Sequence, residues 1–169
     1  MSDLLETGGV TPVEGFDFRW AAVPPGRLAL WHRPKLRAIR YLARAGCDRI
    51  VTLLSEGEGA QEIGRAVAEA GLAWSWIPLA GGRPPEGKAD RRVREELQLL
   101  LGRFDAGESL LIHCSAGMHR TGMIGYALLR RRGFSGPEAL GLIEALRPAT
   151  RDGLTPARLA WGEGTHPAP

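Results

Sequence analysis

The stretch from Ser109 to Arg132 restricts the fold more than any other part of the sequence. Ser109-Leu110-Leu111-Ile112-His113 is an apolar run of strand length, a turn holding Gly117 follows, and a helical pattern from Thr121 to Arg132 ends at Gly133. A strand that is apolar on both faces must be covered on both faces, so it belongs inside a sheet flanked by helices. The same unit recurs along the chain. Arg27-Leu28-Ala29-Leu30-Trp31 reads as a strand, and Pro34 opens a helix with Leu36, Ile39, Leu42 and Ala43 at helical spacing before Gly46 ends it. Arg49 to Leu54 is a second buried strand, followed by a helix from Ala60 to Ala70 that Gly71 stops, and Ala73 to Ile77 is a third strand. Lys88 to Phe104 is helical through Val93, Leu97, Leu100 and Leu101, Ser135 and Glu138 have capping-box spacing for a helix through Leu146, and Thr155-Pro156 opens a last short helix. The alternation predicts an α/β fold, with a central mostly parallel sheet of about four to five strands flanked by helices.

With 169 residues the chain suits one domain, which we place at residues 27–161, with 1–26 an N-terminal extension of it and 162–169 a flexible tail. The net charge of +3 and pI near 9.3 come from bases interspersed with acids, which argues against a nucleic-acid partner. The clusters Arg91-Arg92-Val93-Arg94 and Arg130-Arg131-Arg132 fall on helices, where such runs are usually solvated faces. No apolar run is long enough to span a membrane, and Met1 to Glu6 carries acids where a secretory signal carries bases, so the expected location is cytoplasmic. Two cysteines, Cys47 and Cys114, make no disulfide framework and lack C-x-x-C spacing; neither a metal site nor a cofactor is expected. Nothing in the pattern fixes an oligomeric state.

Between the strand and the helix lies His113-Cys114-Ser115-Ala116-Gly117-Met118-His119-Arg120-Thr121. A glycine-bearing turn at a helix N-terminus directs consecutive backbone N–H groups at an oxyanion. Arg120 can bind two phosphate oxygens through its planar fork and stabilise the charge that develops on them. The same positive surroundings move a thiol from about 8.5 toward the ~3.5–7.5 range, so Cys114 can attack as a thiolate without an adjacent base. Cys47, beside the helix-ending Gly46 at the start of a strand, reads as a small buried core residue.

The sequence His-Cys-x-x-Gly-x-x-Arg-Thr-Gly, here from His113 to Gly122, resembles the signature of the protein tyrosine and dual-specificity phosphatase superfamily at every fixed position. The compact length resembles its dual-specificity branch and bacterial relatives, and Arg147-Pro148 is similar to a late Arg-Pro pair in that family. The resemblance implies a phosphatase that hydrolyses phosphate monoesters through a phosphocysteine intermediate. Cys114 is then the nucleophile, Arg120 the phosphate clamp, His113 an organiser of the loop, and Thr121 the hydroxyl assisting breakdown of the intermediate. Residues Ser115 to Arg120 form the phosphate-binding loop. The implied partner is a phosphorylated protein, carrying phosphotyrosine, phosphoserine or phosphothreonine, or a small phosphorylated substrate.

One position departs from the family. The resemblance implies a general-acid aspartate in the loop after the preceding strand, placed in one relative directly before a Gly-Gly pair, and here Ala80 stands before Gly81-Gly82. Glu86 and Asp90, just past that loop, and His119, inside the phosphate loop, are the candidate replacements. A binding module with weak turnover, and a phosphatase acting on a phosphoinositide or an RNA 5′ end, are the alternatives. The loop offers no lysine for a second phosphate, and intact Cys114 and Arg120 weigh against a binding-only role.

Overall fold

The computed structural model describes residues 9–165. The third and sixth strands, β3 (Gly26–Trp31) and β6 (Ser109–His113), pair in parallel, and β6 pairs in parallel with β4 (Arg49–Thr52), which pairs in parallel with β5 (Ala73–Trp76). The sheet has six strands rather than four to five, because β1 (Val10–Pro12) and β2 (Arg19–Val23) add an antiparallel edge in the order β1-β2-β3-β6-β4-β5. This edge was hidden in the sequence. β1 is three residues long, too short for a period to register, and Pro24-Pro25 makes the turn from β2 to β3 without the usual Asn-Gly signal.

Alternation along the central strands divides the interior in two. Leu28, Leu30, Leu110 and Ile112 join the core beneath α3 (Gly87–Asp105), α4 (His119–Arg131) and α5 (Gly136–Leu146), whereas Ala29, Trp31, Leu111 and Ile50 join a second core with Phe18, Trp20, Ile39 and Leu42. Each fully buried leucine contributes about 1.5–3 kcal/mol, so both faces of β6 stabilise the same strand. Helix α4 is buried continuously from Arg120 to Leu129. A helix wrapped on all sides shows only a weak amphipathic stripe, and its start carries the phosphate loop into the centre of the molecule.

The remaining helices are α1 (Leu36–Ile39), α2 (Ala60–Glu69), α6 (Pro148–Asp152) and α7 (Pro156–Thr165). The helix expected after Pro34 closes after one turn and gives way to successive turns as far as Gly46. Ile39 and Leu42 are buried, but Leu36 and Ala43 point outward. The flexible tail expected from residue 162 is also corrected in part, since α7 runs on to Thr165. Gly162 lets the helix approach Tyr126 so closely that a Cβ there would lie 2.6 Å from the ring, and Arg130 grips Glu163 through two bonds of 2.9 Å. Residues 166–169 of that tail lie outside the described residues. Arg131 and Arg132 bind Gln98, Thr165, Asp105 and Pro24, so the arginine cluster of α4 ties the fold together. Among the described residues no helix is long and apolar enough to cross a membrane.

Candidate active site

Register aligns the carboxyl ends of the parallel strands, with Trp31 beside His113, His113 beside Thr52, and Thr52 beside Trp76. The loops leaving this edge therefore meet, as expected for a parallel sheet. Residues 114–118 form the turn between β6 and α4, and Gly117 there has φ +71. A Cβ on Gly117 would lie 2.5 Å from the Trp31 carbonyl oxygen, so both the backbone angle and the space require glycine.

The loop's carbonyls are taken up one after another by groups outside it. Cys114 O meets His113 Nδ1 at 3.0 Å, Ser115 O accepts from Arg33 N at 2.9 Å, Ala116 O from Arg147 Nη2 at 3.1 Å, Gly117 O from the Thr150 hydroxyl, and Met118 O from Gly122 N at 3.0 Å. With the oxygens held outward, the peptide N–H groups turn toward the hollow over Cys114, which is the geometry of an anion nest.

His113 is fully buried, and its protonation can be worked out from its partners. Burial pushes its pKa down to about 4, despite the bond to Cys114 O, so the ring is neutral. A carbonyl only accepts, so Nδ1 carries the proton and Nε2 is the acceptor of the Thr52 hydroxyl at 2.8 Å. Thr52 Oγ1 in turn accepts from Trp74 Nε1 at 2.8 Å. The chain Trp74, Thr52, His113, Cys114 O thus runs from the edge strand to the loop.

Cys114 is 3% exposed. Burial drives its thiol upward, but the Thr121 hydroxyl, the N–H groups of Thr121 and Gly117, and the Arg120 charge outweigh it and leave the pKa below the ordinary thiol value. The Thr121 hydroxyl is buried with no hydrogen-bond partner among the described residues, yet it is close enough to Cys114 to help lower the thiol's pKa. Arg120 Nη1 donates to Glu58 Oε1 at 2.9 Å and to Leu79 O at 2.9 Å. Burial lowers the Arg120 pKa, but Glu58 and Cys114 reverse this and hold the guanidinium charged. The Arg120 bond keeps the Glu58 carboxyl below its usual range, against a smaller upward push from burial.

The geometry separates the three candidate acids. Asp90 lies on α3 with Oδ1 accepting from Trp161 Nε1 at 2.7 Å and Oδ2 from Arg94 Nε at 2.8 Å, so its carboxylate is committed to holding α7 against α3. Glu86 is an exposed residue at the start of α3 and makes no capping bond. His119, at the exposed rim of the phosphate loop, lies against the loop that carries Ala80. A Cβ on Gly82 would be 2.8 Å from His119 Cβ, and one on Gly153 would be 3.1 Å from its Cδ2. Arg158 fixes that arrangement, with Nε donating to Gly82 O at 2.7 Å and Nη1 to Gly153 O at 2.6 Å.

Sequence reasoning missed Glu58, Arg33, Thr150 and Arg158, which reach the site from four different loops or helices. The only signal for Glu58 and Arg33 was their position just after β4 and β3, at the carboxyl edge. Arg83, on the loop after β5, is exposed.

The architecture is shared with solved phosphatases. Tk-PTP in its active form is 25% identical with a TM-score of 0.68, covering 86% of this chain and 95% of that one. PTPMT1 in complex with PI(5)P is 18% identical with a TM-score of 0.68, covering 87% of this chain and 94% of that one. The core catalytic domain of the PP-IP phosphatase SIW14 from S. cerevisiae is 18% identical with a TM-score of 0.62, covering 85% of this chain and 83% of that one. No curated protein sequence matches the chain. Residues 17–158 match the family described as PTP-SAK, Swiss Army Knife protein, DSP-PTPase phosphatase domain, and this span takes in the sheet from β2 onward and every group of the cradle around Cys114. The chain therefore belongs to that dual-specificity-like family and is a cysteine-dependent phosphatase.

Proposed function

We propose that the protein dephosphorylates a phosphoprotein at tyrosine, serine or threonine, with Cys114 as nucleophile. The observation carrying this reading is the cradle itself: a thiol held below its ordinary pKa inside a loop whose carbonyls are anchored outward, with Arg120 fixed beside it. The Cys114 thiolate attacks phosphorus, the Sγ–P bond forms, the P–O bond to the substrate breaks, and the leaving oxygen takes a proton. Water then attacks phosphorus, the Sγ–P bond breaks, and inorganic phosphate leaves while the thiolate is restored. Arg120 and the loop N–H groups hold the equatorial oxygens through both steps. The Thr121 hydroxyl, unpartnered in the resting site and near the sulfur, stabilises it as the leaving group of the second step.

His119 is the proton donor this arrangement favours, since it adjoins the loop holding Ala80 whereas Asp90 is bound to Trp161 and Arg94. A phosphoprotein substrate is favoured over one with clustered phosphates because Ser115, Ala116 and Met118 bring no charge to the loop and His119 is its one cation besides Arg120. Acid quenching during turnover of a phosphotyrosine peptide should trap phosphate on the native protein and none on Cys114→Ser, whose turnover should fall by at least about 10⁴-fold. Hydrolysis retained by Cys114→Ser would remove phosphocysteine from the reading.

A further inference from the structure

A groove runs down the side of the molecule between residues 11–17 and residues 35–45. It consists of three adjoining cavities of about 610, 480 and 500 Å³, all lined by Phe16. Its upper end is at Trp31, His32 and Lys35, and its lower end at Arg27, Arg44 and Ala45. It therefore follows β3 from end to end, roughly 17–20 Å, the reach of about five residues of extended chain. The upper end adjoins the phosphate loop, because the Trp31 carbonyl packs against Gly117 and Arg33 N binds Ser115 O at 2.9 Å.

The two walls differ in charge. Lys35, Arg37, Arg40 and Arg44 stand exposed along one, and among the described residues none is joined to an acid by an ion pair. The facing wall has Glu14 and Asp17, and Asp17 is occupied by Trp31 Nε1 at 2.6 Å and His32 at 3.5 Å. Among the described residues, four exposed cations thus face Glu14 and an Asp17 already engaged by Trp31 and His32. Arg130, Arg131 and Arg132, at the end of α4, are in contrast engaged within the fold.

Recognition of this wall requires an anion that fits a recessed channel. Single-stranded nucleic acid needs a row of open aromatic faces for its bases, but Trp20 and Trp31 are 3% and 4% exposed, and Tyr41, though exposed, already has the Arg40 guanidinium over its ring at 4.7 Å. A bilayer needs a protruding surface, and this one is recessed. An extended acidic peptide fits the recess, with carboxylates along the basic wall and apolar side chains over Phe16.

We propose that this groove binds an acidic segment of the phosphorylated partner, several residues from the phosphorylated side chain, and so determines which phosphoprotein is processed. The inference rests on the phosphoprotein reading above. The test uses the triple variant Arg37→Glu, Arg40→Glu, Arg44→Glu, whose substituted residues are exposed and outside the catalytic loop. Substrates are p-nitrophenyl phosphate and phosphotyrosine peptides carrying a run of glutamates or of glutamines on either side of the phosphotyrosine. The native protein should process one glutamate peptide on the order of 10-fold faster in kcat/KM than its glutamine twin at low salt. The gain should vanish in the variant and at high salt, with p-nitrophenyl phosphate turnover unchanged in both. Equal rates on glutamate and glutamine peptides, or a preference kept by the variant, would overturn the proposal. So would native protein that sediments with phosphatidylserine vesicles, or binds single-stranded RNA, through these arginines while ignoring the peptides. If no phosphate ester is hydrolysed, the phosphoprotein reading fails on its own, and fluorescence anisotropy of the labelled glutamate and glutamine peptides on native and variant protein still decides the groove.

Discussion

Cys47 and Cys114 are equally hidden, each 3% exposed, yet their thiols are driven in opposite directions. Burial raises both. At Cys47 backbone hydrogen bonds with Arg49 and Leu111 and the Arg27 charge oppose it only in part, the nearby Asp48 charge adds to it, and the thiol is pushed up to about 12. At Cys114 the N–H groups of Gly117 and Thr121, the Thr121 hydroxyl and Arg120 reverse the effect of burial. Exposure therefore says little about reactivity in this chain. The dipoles aimed at the sulfur decide it, and they are available where a strand runs into a helix N-terminus but not where a turn runs into a strand.

Alkylation offers the most direct way to break this contrast. Iodoacetamide at neutral pH should modify Cys114 at least about 100-fold faster than Cys47, with bound phosphate or vanadate protecting, as mapped by peptide mass spectrometry. Similar rates at the two sites would mean that the cradle does not hold a thiolate. The two thiols should also leave opposite marks on stability. The Cys114 contribution is fully present above the unfolded thiol value of 9.0 and is lost as pH falls through the depressed folded value, whereas the Cys47 contribution is present below 9.0 and is lost as pH rises toward about 12. Denaturant titrations of Cys47→Ala and Cys114→Ala across pH should separate the two windows.

Proton donation gives the next largest effect. Plotted against leaving-group pKa, the rate of His119→Ala should fall more steeply than that of the native protein. In that background Ala80→Asp should restore poor leaving groups by about 10- to 100-fold. If Glu86→Ala steepens the plot and His119→Ala does not, the donor is Glu86.

A smaller effect is expected from the indirect supports of the cradle. Thr150→Val keeps the shape but frees the Gly117 carbonyl, so the pH at which Cys114 becomes reactive should rise and kcat/KM near pH 6 should fall by roughly 10-fold. Thr150→Ser should recover both. An unchanged alkylation pH profile in Thr150→Val would reduce Thr150 to a packing residue.

The sequence made the parallel core and the phosphate loop legible, because β6 is a short apolar run and the turn after it carries glycine, cysteine and arginine at fixed spacing. The edge strands escaped notice because β1 has no room for a period and Pro24-Pro25 does not announce a hairpin. The end of α7 escaped because Gly162 and Gly164 read as breakers, although Gly162 is what lets the helix seat against Tyr126. Within the site, the grouping of Cys114, Arg120 and His113 on one loop was readable because they are close neighbours in sequence. Glu58, Thr150 and Arg158 were not, since each approaches from a separate part of the chain and only the folded sheet brings them together. Asp90 illustrates the converse, a carboxyl at a plausible spacing whose oxygens are already taken by Trp161 and Arg94.

The double anchoring of Arg120 Nη1, to Glu58 on the loop after β4 and to Leu79 on the loop after β5, bears on how the site captures its ligand. An arginine side chain ordinarily gives up about 2 kcal/mol of rotamer entropy when fixed, and here that ordering accompanies folding instead of binding. Oxyanion capture by the resting protein should therefore carry little conformational penalty and show a favourable enthalpy. A fork held this rigidly also cannot adapt equally to every ligand shape, so a trigonal-bipyramidal mimic such as vanadate should bind more tightly than tetrahedral phosphate.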